Sequence, residues 1–215
     1  MSIASRIDHT NLKANAISKD IENLCFEAKD FGFRAVCTNS KFTKLAKKFL
    51  TGSSVSVVTV IDFPLGSSTT DVKINAIRSA IELGTDELDV VWDVSSFLEE
   101  SYEVCLAELD SIIIAANLIP VKIIVETALI PEDGFGIAYD IVKDAGAKFI
   151  KTSTGQYLQD KNAYSAVKCW SKKDGLLIKA SGGIRDLETA KAFITRGADV
   201  IGTSSGIKIM RQEKE

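Results

Sequence analysis

The chain has 215 residues, of which 46% are hydrophobic, enough to bury the core of one generous domain or two small ones. Its formal net charge is -3, with 26 basic and 29 acidic side chains interspersed, so no basic face is set aside for nucleic acid. No apolar run approaches the roughly 18 residues of a membrane span, and the opening Met1–Lys13 segment lacks the charged start and apolar run of a secretory leader; a cytoplasmic protein with a small ligand is expected.

Cysteine and histidine usage narrows the chemistry further. Cys25, Cys37, Cys105 and Cys169 form no C-x-x-C pair, which in a cytosolic chain reads as free thiols. His9 is the one histidine, so an imidazole-rich metal cluster is not expected, and a Ser-His-Asp triad would have to be built around that single residue. No cofactor is expected.

In chain order, runs of strand length fall at Ile3–Ile7, Ala35–Thr38, Val55–Ile61, Glu87–Trp92, Val121–Glu126, Lys148–Lys151, Leu176–Ala180 and Val200–Gly202. Between them, apolar residues at three- and four-residue spacing predict helices near 18–31, 40–50, 69–83, 99–117, 132–145, 160–172 and 186–196, with a short last helix from about Ser205. Ser18 precedes the first helix, and glycines at Gly32, Gly84 and Gly146 mark helix exits. Repeated βα units without a linker predict a single (β/α)8 barrel domain over residues 1–215, with an open doubly wound sheet as the alternative.

In such a barrel the C-terminal ends of the strands converge on one face. Asp8-His9-Thr10, Cys37-Thr38-Asn39, Asp62, Asp89, Glu126, Lys151, Lys179 and Gly202-Thr203-Ser204-Ser205 are assigned there. Lys151 ends an apolar strand among small hydroxyl residues, either as a snorkelling surface amine or as a desolvated nucleophile. Lys179 lies on the next strand. Two unit charges about 7 Å apart at an effective dielectric near 20 repel by roughly 2 to 3 kcal/mol, enough to lower the first amine by about 2 pK units. The opposing reading pairs each lysine with its own carboxylate, such as Glu126.

Period two places Glu87, Asp89 and Val91 on one strand face. Asp89 there is either a proton shuttle beside the lysines or a structural ion pair with Lys122 or Lys179. Asp8 and Thr10 bind a substrate hydroxyl or hold Lys179, while His9 is a strand-end hydrogen-bonding residue or, less simply, a catalytic one. Gly182-Gly183 and Gly202–Gly206 follow the last two strands, the usual phosphate position in barrels; plain tight turns are the alternative.

Taken together, Asp8-His9-Thr10, Phe63-Pro64-Leu65-Gly66, Glu87–Val91, Lys122–Thr127, Lys151-Thr152-Ser153-Thr154-Gly155, Lys179–Arg185 and Ile201–Gly206 resemble the deoxyribose-phosphate aldolase family. The resemblance implies a metal-independent aldolase that reversibly cleaves 2-deoxy-D-ribose 5-phosphate to acetaldehyde and D-glyceraldehyde 3-phosphate. It implies Lys151 as Schiff-base nucleophile, Asp89 as proton donor and acceptor, and Lys179 as the neighbour that lowers the Lys151 pKa. Thr154, Gly155, Gly182, Gly183, Gly202, Ser204 and Ser205 match the substrate and phosphate positions. Gln156 stands where some relatives carry a basic residue, and Ala128 where a glycine is common. Family members form homodimers or homotetramers, so a homo-oligomer acting on phosphosugar and aldehyde substrates is implied. Another Schiff-base aldolase, a sugar-phosphate isomerase and a non-catalytic phosphosugar sensor are the alternatives on the same barrel.

Overall fold

The structure, a computed structural model, describes residues 2–157 and 161–214. Strands β1 (Ile7–Asn11), β2 (Ala35–Asn39), β3 (Ser56–Ile61), β4 (Glu87–Val91), β5 (Val121–Ile124), β6 (Phe149–Lys151), β7 (Leu177–Ser181) and β8 (Val200–Thr203) close into a parallel barrel in chain order. Closure is made by β1 on β8, with Ile7 opposite Ile201 and His9 opposite Thr203. The expected (β/α)8 barrel is the fold.

The helices described are α1 (Ser18–Phe31), α2 (Thr43–Phe49), α3 (Thr70–Glu82), α4 (Val94–Leu98), α5 (Tyr102–Ala116), α6 (Phe135–Asp144), α7 (Ala163–Trp170), α8 (Leu187–Thr195) and α9 (Gly206–Lys214). None of them is long and apolar enough to cross a membrane. Side-chain alternation along the strands divides the core into two layers. Val36, Val57, Leu88, Val90, Ile123, Ile150, Ile178 and Ile201 pack outward with helix residues such as Ile21, Ile77, Leu109 and Val142 in one large cluster. Ala35, Cys37, Val58 and Val60 form a second, small cluster inside the barrel. The interior also holds charge: Asp8, Asp89, Lys122, Lys151 and Lys179 are all buried.

Strands β2 to β8 begin and end within two residues of the sequence expectation. The first strand differs. Ile3–Arg6 is a 3-10 helix beside α9, tied through Ile3 N–H to Glu213 Oε1 at 3.3 Å, and the strand begins at Ile7. Apolar content misplaced it, because the part of β1 that faces the barrel interior carries Asp8. At the start of α1, Ser18 is already helical; the Asp20 carboxylate accepts the Ile17 N–H at 2.8 Å instead. Gly32 leaves that helix at φ +67, a left-handed exit that glycine makes without a Cβ penalty. The predicted 99–117 helix is two elements, a short α4 capped by Asp93 on the Ser95 and Ser96 amides, then α5. The predicted start of the 160–172 helix, residue 160, lies outside the described residues.

All three buried thiols, Cys25, Cys37 and Cys105, and the partly buried Cys169 are unbridged.

Candidate active site

Residues at the C-terminal strand ends line a cavity of about 490 Å³, a size suited to a small metabolite. Lys151, Thr10, Phe63, Ser181 and Ser204 are on its wall, together with Gly155, Gly182, Gly183 and Gly202. Lys151 enters from the last position of β6, directly opposite Lys179 on β7. This register follows from parallel pairing, which brings the two lysines onto the same barrel face.

Both amines converge on a single atom. Lys151 Nζ and Lys179 Nζ each donate to Asp89 Oδ2 at 2.7 Å, so the two nitrogens stand no farther apart than twice that distance. They are closer than the 7 Å spacing assumed from sequence. Lys179 also donates to Asp8 Oδ2 at 2.6 Å, and Lys122 Nζ lies 3.1 Å from Asp89 Oδ1. Asp8 thus lies beneath the cavity and holds Lys179, one of its two sequence readings. Glu126 Oε2 accepts the Thr154 N–H at 3.0 Å and hydroxyl at 2.5 Å.

The electrostatics follow from burial against pairing. Burial opposes ionisation of Asp89, but Lys122, Lys151 and Lys179 outweigh it and hold the carboxyl well below its ordinary value. Asp8 behaves alike: burial raises it, while Lys179, Arg34 and Lys122 bring it below the usual range. Burial would strip the proton from Lys179, yet Asp8 and Asp89 raise it above an ordinary lysine. Lys179 is therefore a fixed cation beside Lys151. Cys37 faces this group from β2 as a neutral thiol, pushed up to about 11 by burial.

Small residues shape the opposite wall. Gly182 and Gly183 have φ of +95 and +70, and a Cβ on Gly182 would lie 3.1 Å from Ser153 Cβ. The β6, β7 and β8 loops are stitched by Ser181 Oγ–H to Ser153 O at 2.6 Å, the Ser181 N–H to Thr152 Oγ1 at 3.0 Å and Thr203 Oγ1–H to Ile184 O at 2.6 Å. Helix α9 starts at Gly206, one residue past Ser205, whose N–H donates to Thr203 Oγ1 at 2.9 Å. Ser205 is the one predicted phosphate residue set back from the wall; Gln156 and Arg185 are on it.

Comparison with known proteins agrees with this geometry. Residues 3–212 match the family described as DeoC/LacD family aldolase. The chain belongs to that family. The aldolase is 41% identical over 210 residues to deoxyribose-phosphate aldolase of Dictyoglomus turgidum, covering 97% of this chain and 95% of that one. A solved aldolase designated QR15 superposes with TM-score 0.92 at 39% identity, over 100% of this chain and 96% of its own. Deoxyribose-phosphate aldolase from Aeropyrum pernix, described as having a unique tetrameric structure, superposes with TM-score 0.87 at 35% identity, over 99% and 91% of the two chains.

Glu27 and Arg34 were not singled out from the sequence, whereas His9 was read as a strand-end hydrogen-bonding residue or a catalytic one. His9 faces away from the barrel interior: its Nε2 lies 2.7 Å from Glu27 Oε2 on α1, and its ring packs on Phe33 at 5.0 Å. Arg34, which precedes β2, grips Asp8 and Glu87 with four hydrogen bonds of 2.7 to 3.0 Å. No local pattern marks Arg34, since its partners lie on β1 and β4.

Proposed function

We propose that this aldolase reversibly cleaves 2-deoxy-D-ribose 5-phosphate to acetaldehyde and D-glyceraldehyde 3-phosphate through a Schiff base on Lys151. One observation carries the reading. Of the four cations linked in the barrel interior, Lys151 alone lines the cavity, where a carbonyl carbon can reach it.

In the cleavage direction the Lys151 Nζ lone pair adds to the substrate aldehyde, and the carbinolamine loses water to an iminium. Asp89, ionised and 2.7 Å from Nζ, accepts the amine proton and returns one to the departing hydroxyl. Loss of the proton from the C3 hydroxyl then breaks the C2–C3 bond, whose electrons flow into the iminium. Glyceraldehyde 3-phosphate leaves, the enamine carbon is protonated, and water releases acetaldehyde. Lys179 keeps the site cationic and passes protons through the shared Asp89 oxygen. Gly155, Gly182, Gly183, Gly202, Ser204 and Ser205 bind the phosphate, through backbone amides that glycine leaves open. Thr10 and Thr154 contact substrate oxygens, and Asp8 acts on substrate through Lys179.

The relatives' names support the substrate, and the tetrameric relative supports a homodimer or homotetramer. Turnover of 2-deoxyribose 5-phosphate is the test. The protein should release acetaldehyde from it and far less product from other phosphosugars; isomerisation without carbon–carbon cleavage, or binding without turnover, would replace the reading.

A further inference from the structure

A chain of buried and half-buried ion pairs runs the length of the barrel beneath Lys151. Arg34 at the N-terminal end contacts Asp8 and Glu87; Glu87 pairs with Lys122; Lys122 and Lys179 meet Asp89. Four cations, Arg34, Lys122, Lys151 and Lys179, are linked to three carboxylates, Asp8, Glu87 and Asp89. With every group ionised, the network holds one surplus positive charge. Arg34, Lys122 and Lys179 each touch two of the carboxylates, whereas Lys151 touches only Asp89. Lys151 is thus the least compensated cation and the one at the cavity.

We infer that Arg34 and Glu87, remote from the cavity, are positioning residues that set the charge state of the Lys151 amine through Asp8–Lys179 and Lys122–Asp89. The inference rests on Lys151 being the Schiff-base nucleophile and adds which remote charges act on it. Arg34 supplies the surplus charge, and its planar fork also fixes the Asp8 carboxylate that holds Lys179. Glu87 works in the opposite sense, drawing Lys122 partly away from Asp89.

Lys13, Asp20 and Arg185 share the cavity wall with Lys151. Asp89 on β4 contacts Lys151 and also takes Lys179 on β7, with Asp8 on β1 and Lys122 on β5 behind them. Cys37 faces it from β2, β3 presents Val58 and Val60, and β8 presents Gly202. Glu126 beyond β5 accepts from Thr154, and the His9–Glu27 pair lies towards α1. Arg34 and Glu87 touch Asp8 and Lys122 but not Lys151 or Asp89, so differences between variants report their effect through Asp8 and Lys122.

The experiment reads the pH dependence of reductive trapping of acetaldehyde on the Lys151 peptide, in wild type, Arg34→Met, Glu87→Gln and the double variant. Removing the Arg34 charge lets the amine keep its proton to higher pH, so the acidic midpoint of trapping rises by about 0.5 to 1 unit. Glu87→Gln moves it down by a similar amount, and the double variant returns it towards wild type. Arg34→Lys keeps the charge and should hold the wild-type midpoint at a lower rate. If Arg34→Met does not fold, Arg34→Gln, which also removes the charge, carries the Arg34 side of the test with Glu87→Gln. Midpoints that do not move, or that move the same way in both single variants, overturn the inference. Wild-type label on other lysines overturns instead the assignment of Lys151.

Discussion

Lys151 and Lys179 share one oxygen of Asp89, each at 2.7 Å, from opposite positions on adjacent strands. A carboxylate between two ammonium groups both tolerates their proximity and offers a route for a proton between them. Asp89→Asn removes that route while keeping the shape. We expect a loss of turnover of about 10²- to 10⁴-fold, the range of general acid–base contributions, measured on 2-deoxyribose 5-phosphate. Stability should fall as well, by about 3 to 5 kcal/mol, because three lysines lose a buried counter-charge.

Gly182 tests the proposed phosphate wall apart from the amine. Its φ of +95 strains any side chain there, and a Cβ would press on Ser153 Cβ at 3.1 Å. Gly182→Ala should cost about 1 kcal/mol or more in backbone strain and raise KM for the phosphorylated substrate about tenfold. Trapping of unphosphorylated acetaldehyde on Lys151 should change much less. Equal losses in both assays would mean that the loop does not bind the phosphate.

Stability should follow pH through the same buried groups. Asp8 and Asp89 ionise below their ordinary 3.8 in the folded chain. Their contribution is complete above that value and is lost as pH falls below it through the folded values. Lys179, raised above 10.5, contributes fully below 10.5 and loses its share as pH climbs beyond. Denaturant midpoints should therefore decline below about pH 4 and again above about pH 10.5, and Asp8→Asn should shrink the acidic decline.

Lys73 offers a control. It is fully buried, 2.7 Å from Glu108 on α5 and 3.8 Å from Asp62, away from the cavity wall. Lys73→Met should lower stability by about 3 to 5 kcal/mol by stranding the Glu108 carboxylate. The pH midpoint of trapping on Lys151 should stay where it is in wild type.

Much of this arrangement could be read along the chain because the barrel turns sequence order into spatial order. The register of Lys151 with Lys179 needed only two consecutive strands, and period two alone put Glu87 and Asp89 on one face. Contacts that skip strands were not legible. Arg34 reaches Asp8 on one side and Glu87 on the other, and no local spacing relates residues 8, 34 and 87. The β1 misplacement has the same origin: a strand whose interior face carries Asp8 lacks the apolar signature of its neighbours. The convergence of both lysines on one Asp89 oxygen, rather than on separate carboxylates, also required three dimensions.

The Lys151 amine carries the account, and covalent capture tests it most directly. Borohydride added with acetaldehyde should leave one reduced adduct per chain, located by peptide mass spectrometry on Lys151 and absent from Lys151→Leu, whose turnover should fall at least about a thousandfold. An adduct found only on other lysines, or none at all, would contradict the mechanism.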